Sequence, residues 1–234
     1  MYRVLIGSSI FLMLLSACAS NEVGNSKDVN PDAIFFDYKI RGEERDSDVT
    51  VYIQYRMGGP NGTTLVLNDP AKVELDGEKI PVDSALLTGA YYESRNPSNG
   101  FVGKHSLLFT DVNEKQYKEE FIYQPFKLKK GFDSVVHRGD IALDFEGLGP
   151  KEAIRLTATD TSFMSWDINE IDTAIDGHLV IPRKKLNNLV NGPIILLLSK
   201  ETEMPLKNGT KRGGRIVVSY GLQRDFVLKD QDSE

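Results

Sequence analysis

The sequence contains one cysteine, one tryptophan and three histidines among its 234 residues. A single cysteine, Cys18, cannot form a disulfide within the chain, and it cannot supply the paired thiolates of most structural zinc sites. The histidines, His105, His137 and His178, stand far apart in the chain, and none has a histidine neighbour at helical zinc-motif spacing. The sequence therefore predicts neither a metal site nor a cofactor.

Catalytic and nucleic-acid-binding patterns are also missing. The Gly-x-Ser-x-Gly elbow of serine hydrolases does not occur, and the glycine-rich residues 58–62 lack the Lys-Ser/Thr end of a phosphate loop. The formal net charge is −6, without a long basic stripe, which argues against nucleic-acid binding. We predict that the protein is not an enzyme. The alternative is an envelope hydrolase with a site in an interdomain groove near residues 125–130.

A short apolar run opens the chain. Arg3 precedes the mostly apolar residues 4–15, and small residues follow before Cys18. A positive charge, an apolar stretch and small residues, in that order, are typical of a secretory signal peptide. The run is shorter than the roughly 20 residues that span a bilayer core, which disfavours a transmembrane anchor. We therefore predict a signal peptide over residues 1–17.

Leu15-Ser16-Ala17-Cys18 resembles the lipobox of bacterial lipoproteins at every position. The resemblance implies cleavage between Ala17 and Cys18, diacylglycerol on the Cys18 thiol, and a further acyl chain such as palmitate on the new amino terminus. Such an anchor explains why the lone thiol has no partner, and it holds a protein firmly on a membrane. In this family an aspartate after the cysteine favours the inner membrane, so Ala19 implies the outer membrane of the cell envelope, with its periplasmic and surface faces both open. The alternative is an ordinary signal peptide with a cysteine there by chance.

Alternating apolar and polar residues recur through the rest of the chain. Residues 48–56 alternate strictly, which indicates a half-buried strand. Residues 72–82 alternate on both sides of Asp76-Gly77, a pair that fits the positive φ angles of a type I′ hairpin turn. Further strands are predicted at 105–110, 117–123, 141–145, 154–159, 163–168, 179–181, 194–198 and 215–220.

The hairpin of residues 105–123 resembles the last hairpin of bacterial Ig-like domains, in which a strand ends in Asp-x-Asn before the final strand. Strand-length segments about 8–12 residues apart, separated by Gly, Asn and Pro, favour an all-β sandwich. Two such sandwiches on a lipid anchor resemble the uncharacterised envelope lipoproteins of Bacteroidota. We therefore predict an all-β chain with two tandem Ig-like β-sandwich domains. The predicted division is a signal peptide (1–17), a lipidated flexible tether (18–31), the two domains (32–125 and 126–229) and a tail (230–234).

Residues 88–101, TGAYYESRNPSNGF, are predicted to form an irregular loop and are the candidate partner-binding loop. Its candidate residues are Tyr91, Tyr92, Arg95, Asn96 and Asn99. Flat amphipathic rings and adaptable hydrogen-bonding groups are typical of loop-based recognition, so we expect Tyr92 and Arg95 to be exposed. The alternative is that Tyr91 and Phe101 plug the end of the sandwich.

Together, these features predict a membrane-anchored envelope lipoprotein that acts as a non-catalytic binding or scaffold module. The predicted partners are the membrane, through the lipid anchor, and a protein or a glycan, through the loops of the sandwiches.

Overall fold

The computed structural model describes residues 23–85, 88–162 and 168–230. These residues form eighteen β-strands, a four-residue α-helix and three short 3₁₀ helices. The all-β class predicted from the sequence is confirmed, with sheets that pack as a sandwich. The predicted signal peptide and the lipidation site at Cys18 lie outside the described residues.

The first half of the chain contributes strands to two sheets. In the smaller sheet the strand order is β10-β9-β5-β6, and the remaining strands belong to the larger sheet. The elements are β1 (Val23–Asn25), β2 (Ile34–Glu43), β3 (Asp48–Met57), β4 (Thr64–Val66), β5 (Lys72–Leu75), β6 (Glu78–Lys79), β7 (Val82–Ala85), β8 (Gly89–Pro97), β9 (Gly103–Thr110) and β10 (Gln116–Tyr123), with 3₁₀ helices at Ser26–Asp28, Pro31–Ala33 and Ser98–Gly100.

Aromatic rings from both sheets fill the first core. Phe36 on β2 and Tyr55 on β3 meet Phe109 on β9 of the opposite sheet, at ring-centroid distances of 4.8 Å and 4.6 Å. Strict alternation along β3 places every second side chain in this core, as the sequence pattern predicts. The two sheets are therefore held face to face mainly by buried aromatic and β-branched side chains.

The second half of the chain surrounds a second core. Its elements are β11 (Lys127–Leu128), β12 (Val135–His137), β13 (Ile141–Glu146), β14 (Lys151–Asp160), β15 (Ile168–Ile175), β16 (His178–Ile181), α1 (Arg183–Leu186), β17 (Gly192–Pro205) and β18 (Gly214–Lys229). β15 and β16 share one residue pair only, at their turn, while β16 pairs along its length with β13. Both groups of strands, β14-β15-β17-β18 and β13-β16, contribute side chains to this core.

The β17–β18 hairpin joins the two halves. The first half of β18, Gly214–Gly221, pairs in parallel with β2, and Ile216 lies in the first core. The second half of β18 places Leu222 and Phe226 in the second core, and Tyr220 contacts both cores. The division of the chain between residues 125 and 126 stays a prediction. β18, which follows this division in the sequence, nevertheless pairs with β2, which precedes it.

Residues 23–31, predicted as part of a flexible tether, instead lie against the first sandwich. Val23–Asn25 pairs in parallel with β4, and the buried Ser26 hydroxyl accepts a hydrogen bond from the Asn68 backbone N–H at 2.9 Å. The tether prediction is wrong for this part because backbone and hydroxyl hydrogen bonds hold the segment, and Val29 packs against the first core.

The hairpin predictions are confirmed. Asp76 and Gly77 join β5 to β6 with φ angles of 51° and 91°, as a type I′ turn requires. The turn between β9 and β10 is closed by Asp111, whose Oδ1 accepts from the backbone N–H groups of Asn113 and Lys115 at 2.8 Å and 3.0 Å. An Asp-x-Asn sequence therefore ends β9 because its aspartate caps the turn.

Candidate functional site

The predicted loop of residues 88–101 is for the most part a strand. Gly89–Pro97 forms β8, which pairs antiparallel with β3 and with β7. Its side chains alternate, with Ala90 and Tyr92 buried and Arg95 exposed. The loop prediction is wrong because the outer face and the end of the strand carry polar residues. These residues obscure the alternation of inward-facing and outward-facing side chains that is present from residue 90 onward.

Tyr92 lies in the first core, not at the surface. Its side chain is 3% exposed, and its ring packs edge-on against Tyr55 at 5.8 Å. The Leu67 backbone N–H donates a hydrogen bond to the Tyr92 hydroxyl oxygen at 2.7 Å. Burial raises the pKa of Tyr92 to about 12. The expectation that Tyr92 is an exposed anchor is therefore wrong, and the side chain serves the fold.

Tyr91 and Arg95 lie on the outer, solvent-facing side of the larger sheet. The Tyr91 ring stacks on Tyr52 of the neighbouring strand, with ring centroids 5.0 Å apart. Arg95 is exposed, and its Nε donates to the Glu93 carboxylate at 2.8 Å. Phe101, by contrast, is buried, so the plug alternative holds for Phe101 and not for Tyr91.

Asn96 and Asn99 line a pocket of about 550 Å³ that opens between the β5–β6 hairpin and the end of β8. Asp76, Glu78 and His105 also line it. We call this cavity the Asn96 pocket. Two of the five predicted candidates thus converge in one cavity, while Tyr91, Tyr92 and Arg95 lie elsewhere.

One wall of the Asn96 pocket is fixed by the pair Asp76–His105. His105 Nδ1 lies 2.6 Å from one Asp76 carboxylate oxygen, and the other oxygen accepts from the Ser106 backbone N–H at 2.7 Å. The His105 ring stacks on Phe101 at 3.8 Å, and its Nε2 lies 2.9 Å from the Phe101 carbonyl oxygen. Burial alone raises the pKa of the Asp76 carboxyl, but the hydrogen bonds from His105 and Ser106 outweigh it and lower the pKa below its usual value.

Sequence reasoning missed the role of Asp76 and His105 in this pocket. Asp76 was identified only as a turn residue, and His105 as an isolated histidine. The antiparallel pairing of β5 with β9 brings the two together across 29 positions of sequence. The two predicted hairpins could have indicated this contact. If the strand before Asp76 pairs with the strand that begins near His105, the two residues lie side by side.

The Asn96 pocket offers uncommitted hydrogen-bonding groups. The side chains of Asn99 and Glu78 are exposed and have no hydrogen-bond partner in the described part of the chain, while Asn96 Nδ2 donates to Ser94 Oγ at 3.3 Å. An amide presents two donors and an acceptor, and a carboxylate presents acceptors only. The apolar side chain of Ile80 is also part of the lining. The pocket can therefore bind a ligand that has hydroxyl groups on one side and C–H surface on another.

A groove of about 450 Å³ does lie beside Pro125 and Phe126, where the alternative hydrolase site was expected. Both carboxylates that line it form ion pairs. Glu44 pairs with Arg224, and Glu146 pairs with Lys127 at 3.2 Å. No histidine is among its lining residues in the described ranges. The groove therefore holds its acids as structural ion pairs.

The three histidines do not converge. His105 contacts Asp76, His178 lies 2.9 Å from Asp144, and His137 Nδ1 lies 3.2 Å from the Asp230 carbonyl oxygen. Over residues 23–85, 88–162 and 168–230, no group of three or more His, Cys, Asp or Glu side chains is arranged to hold a metal ion. In the same ranges no helix is both long and apolar enough to cross a membrane.

No protein-family model matches the sequence, and no curated protein matches it. Several solved structures resemble the chain in part. The crystal structure of DIP-gamma IG1+IG2 is 10% identical, covers 85% of this chain and 99% of its own, and has a TM-score of 0.22. The Clostridium thermocellum CbhA fibronectin(III)-like modules are 10% identical, with 86% and 96% coverage and a TM-score of 0.23.

The third structure is the Bacteroides ovatus mixed-linkage glucan utilization locus protein SGBP-B in complex with a mixed-linkage heptasaccharide. It is 14% identical, covers 89% of this chain and 66% of its own, and has a TM-score of 0.19.

Proposed function

We propose that this protein is a lipid-anchored lipoprotein of the bacterial cell envelope, located at the outer membrane, that binds a glycan without transforming it. The anchor is supported by Leu15-Ser16-Ala17-Cys18, in which the only cysteine of the chain stands at the end of the apolar run. A thiol that carries diacylglycerol fixes the protein to a membrane and leaves the β-sheet part of the chain facing the aqueous phase.

The glycan-binding part of the proposal rests on the Asn96 pocket. Its walls carry two asparagine amides, several carboxylates and a lysine, and Asn99 and Glu78 are free to form new hydrogen bonds. Sugar hydroxyls both donate and accept, so they match amides and carboxylates better than a purely apolar or purely charged ligand does. The volume of about 550 Å³ lies in the range of ordinary small-ligand pockets.

Affinity electrophoresis in gels that contain soluble polysaccharides tests this proposal. The panel comprises mixed-linkage β-glucan, xyloglucan, α-glucan and mannan. We expect at least one of them to retard the wild-type chain, and the Asn96→Ala, Asn99→Ala double variant to lose roughly tenfold or more in affinity, because two amides are removed. The matched control is the Asn187→Ala, Asn188→Ala double variant, which also removes two amides, at exposed positions outside the lining of the pocket, and it should bind as the wild type does. Failure of every polysaccharide, or equal retardation of the double variant, would refute the role of this pocket.

A further inference from the structure

Another cavity lies at the opposite edge of the first sandwich from the Asn96 pocket, where the two sheets differ in width. The larger sheet continues through β18 to β17, while the smaller sheet stops at β10. The inward-facing side chains of Met204, Val218 and Tyr220 are in consequence only partly covered. They form the apolar floor of a groove of about 330 Å³, here called the side groove.

One border of the side groove is the free edge of β10. In the described part of the chain β10 pairs with β9 only. The Ser106 carbonyl accepts from the Asp76 N–H at 2.9 Å, so the backbone of Ser106 is directed toward β5. In the β9–β10 register Ser106 lies opposite Glu120. Because the Ser106 backbone is directed toward β5, Ser106 and Glu120 form a non-hydrogen-bonded pair of the antiparallel ladder. The backbone N–H and C=O groups of Glu120 therefore point away from β9 and toward the groove. The same holds for Ile122, two residues further along β10.

The β17–β18 hairpin occupies the first part of this edge and leaves the rest open. Asn208, near the tip of the hairpin, donates from Nδ2 to the Lys118 carbonyl oxygen at 2.9 Å. That bond shows that the alternate residues of β10 direct their backbone groups outward. Beyond Lys118, no described residue bonds to the outward backbone groups of Glu120 or Ile122. Ile122 is also 66% exposed, whereas edge strands are commonly protected by charge, proline or a covering segment.

The charge of the side groove favours an acidic occupant. Three lysines, Lys104, Lys200 and Lys207, line it against a single glutamate, Glu120, although the chain as a whole has a net charge of −6. Lys104 pairs with Glu120 at 2.8 Å, and Lys200 with Glu152 at 2.7 Å. Lys207 has no ion-pair partner among the described residues.

We propose that the side groove binds an extended acidic peptide of a partner protein as an added strand on β10. Main-chain hydrogen bonds to Glu120 and Ile122 would supply affinity that does not depend on sequence, as in other cases of strand addition. Alternate side chains of the peptide would cover Met204, Val218 and Tyr220, while its carboxylates meet the lysines at the rim. A second copy of this chain fits less well, because edge-to-edge pairing would bring two lysine-lined rims together.

Fluorescence polarisation with the purified full chain in detergent micelles tests this proposal. The probe is a labelled, carboxyl-amidated heptapeptide of sequence EVEVEVE. We expect saturable binding, at least roughly tenfold weaker binding of KVKVKVK, and a similar loss when the amides on one edge of EVEVEVE are N-methylated. Equal binding of the N-methylated peptide would overturn strand addition, and equal binding of the lysine peptide would overturn the charge argument. No saturation by about 1 mM would overturn the proposal as a whole.

Variants of the chain locate the binding edge. Ile122→Pro removes an outward N–H that β9 does not use, and proline is tolerated on edge strands, so the peptide should bind roughly fivefold to tenfold more weakly. Lys207→Glu should weaken binding by a similar factor, and it keeps the test decisive if the proline variant does not fold. Lys184→Glu, on α1 and outside the lining of the groove, is the matched control.

Sedimentation of the same samples identifies the competing occupant. A concentration-dependent dimer that Ile122→Pro abolishes would show that a second copy of this chain occupies the edge, and it would overturn the peptide assignment. A monomer at all concentrations, together with peptide binding that both variants weaken, would support it.

Discussion

Truncation of Tyr92 should destabilise the protein, in contrast to what the sequence alone suggests. The side chain is 3% exposed and fills the first core beside Tyr55. Large-to-small substitution of a buried aromatic residue costs about 3–5 kcal/mol, which we expect for Tyr92→Ala. Tyr92→Phe keeps the ring and removes only the hydroxyl that accepts from the Leu67 N–H. Because an orphaned, partly buried donor costs about 1–3 kcal/mol, Tyr92→Phe should fall clearly between Tyr92→Ala and the wild type.

Urea unfolding followed by far-ultraviolet circular dichroism measures these differences. A chain that begins at Ala19 avoids the lipid and needs no detergent. Arg95→Ala is the control on the same strand, since its ion pair with Glu93 is exposed and its loss should leave the urea midpoint nearly unchanged. If Tyr92→Ala unfolds within about 0.5 kcal/mol of the wild type, Tyr92 is a surface residue and β8 does not direct it into the first core.

Four further predictions follow from other parts of the chain. Cys18→Ser should abolish metabolic labelling with palmitate and release the protein from the membrane fraction; label that persists would contradict the lipobox interpretation. Arg138→Met should cost about 2–4 kcal/mol in thermal or urea unfolding, because the buried guanidinium donates to the Leu189 carbonyl at 3.0 Å and pairs with Asp230; an unchanged midpoint would contradict this. The lowered pKa of Asp76 means that its charged form stabilises the fold above the 3.8 of an ordinary aspartate and loses this effect as the pH falls through the lower folded value; the stability difference between wild type and Asp76→Asn should therefore shrink as the pH falls below 3.8, and a difference constant with pH would refute it. Residues 32–125 expressed alone lack β18 and should unfold at lower urea than the full chain, or fail to fold; an equally stable fragment would show that β18 is dispensable to the first core.

Local patterns predicted the elements whose partners are close in sequence. The alternation of residues 48–56 identified β3, and Asp76-Gly77 identified the β5–β6 hairpin with its turn type, because both signals are complete within a dozen residues. The same reasoning failed for β8. Its outer face carries Glu93 and Arg95, which form an ion pair with each other, so its polar composition suggested a loop. Only the pairing with β3 shows that the polar side chains cover one face of a strand.

The Asn96 pocket illustrates the same limit for a site. Asn96 and Asn99 were found because amides cluster between two predicted strands. Asp76 and His105 were not assigned to the site, because nothing within their own segments relates them to Asn96. They come together only when two sheets pack, a step that depends on the burial of Phe36, Phe109 and their neighbours and not on the polar residues themselves.

The β17–β18 hairpin links the first core, the second core and the side groove. Side chains on one face of β18 enter the first core at Ile216 and the second at Leu222, and Tyr220 lies between them, edge-on to Tyr123 at 6.2 Å and to Phe126 at 5.5 Å. The sequence pattern predicts only residues 215–220 of β18 as a strand, because Arg224 interrupts the apolar face between Leu222 and Phe226. Nor does it show that the strand changes partners partway along. A peptide in the side groove would rest on Tyr220 and would stabilise the hairpin where it passes from one core to the other. Binding there should therefore raise the unfolding midpoint of both cores together, whereas a ligand of the Asn96 pocket, which touches only the first core, should raise that of the first.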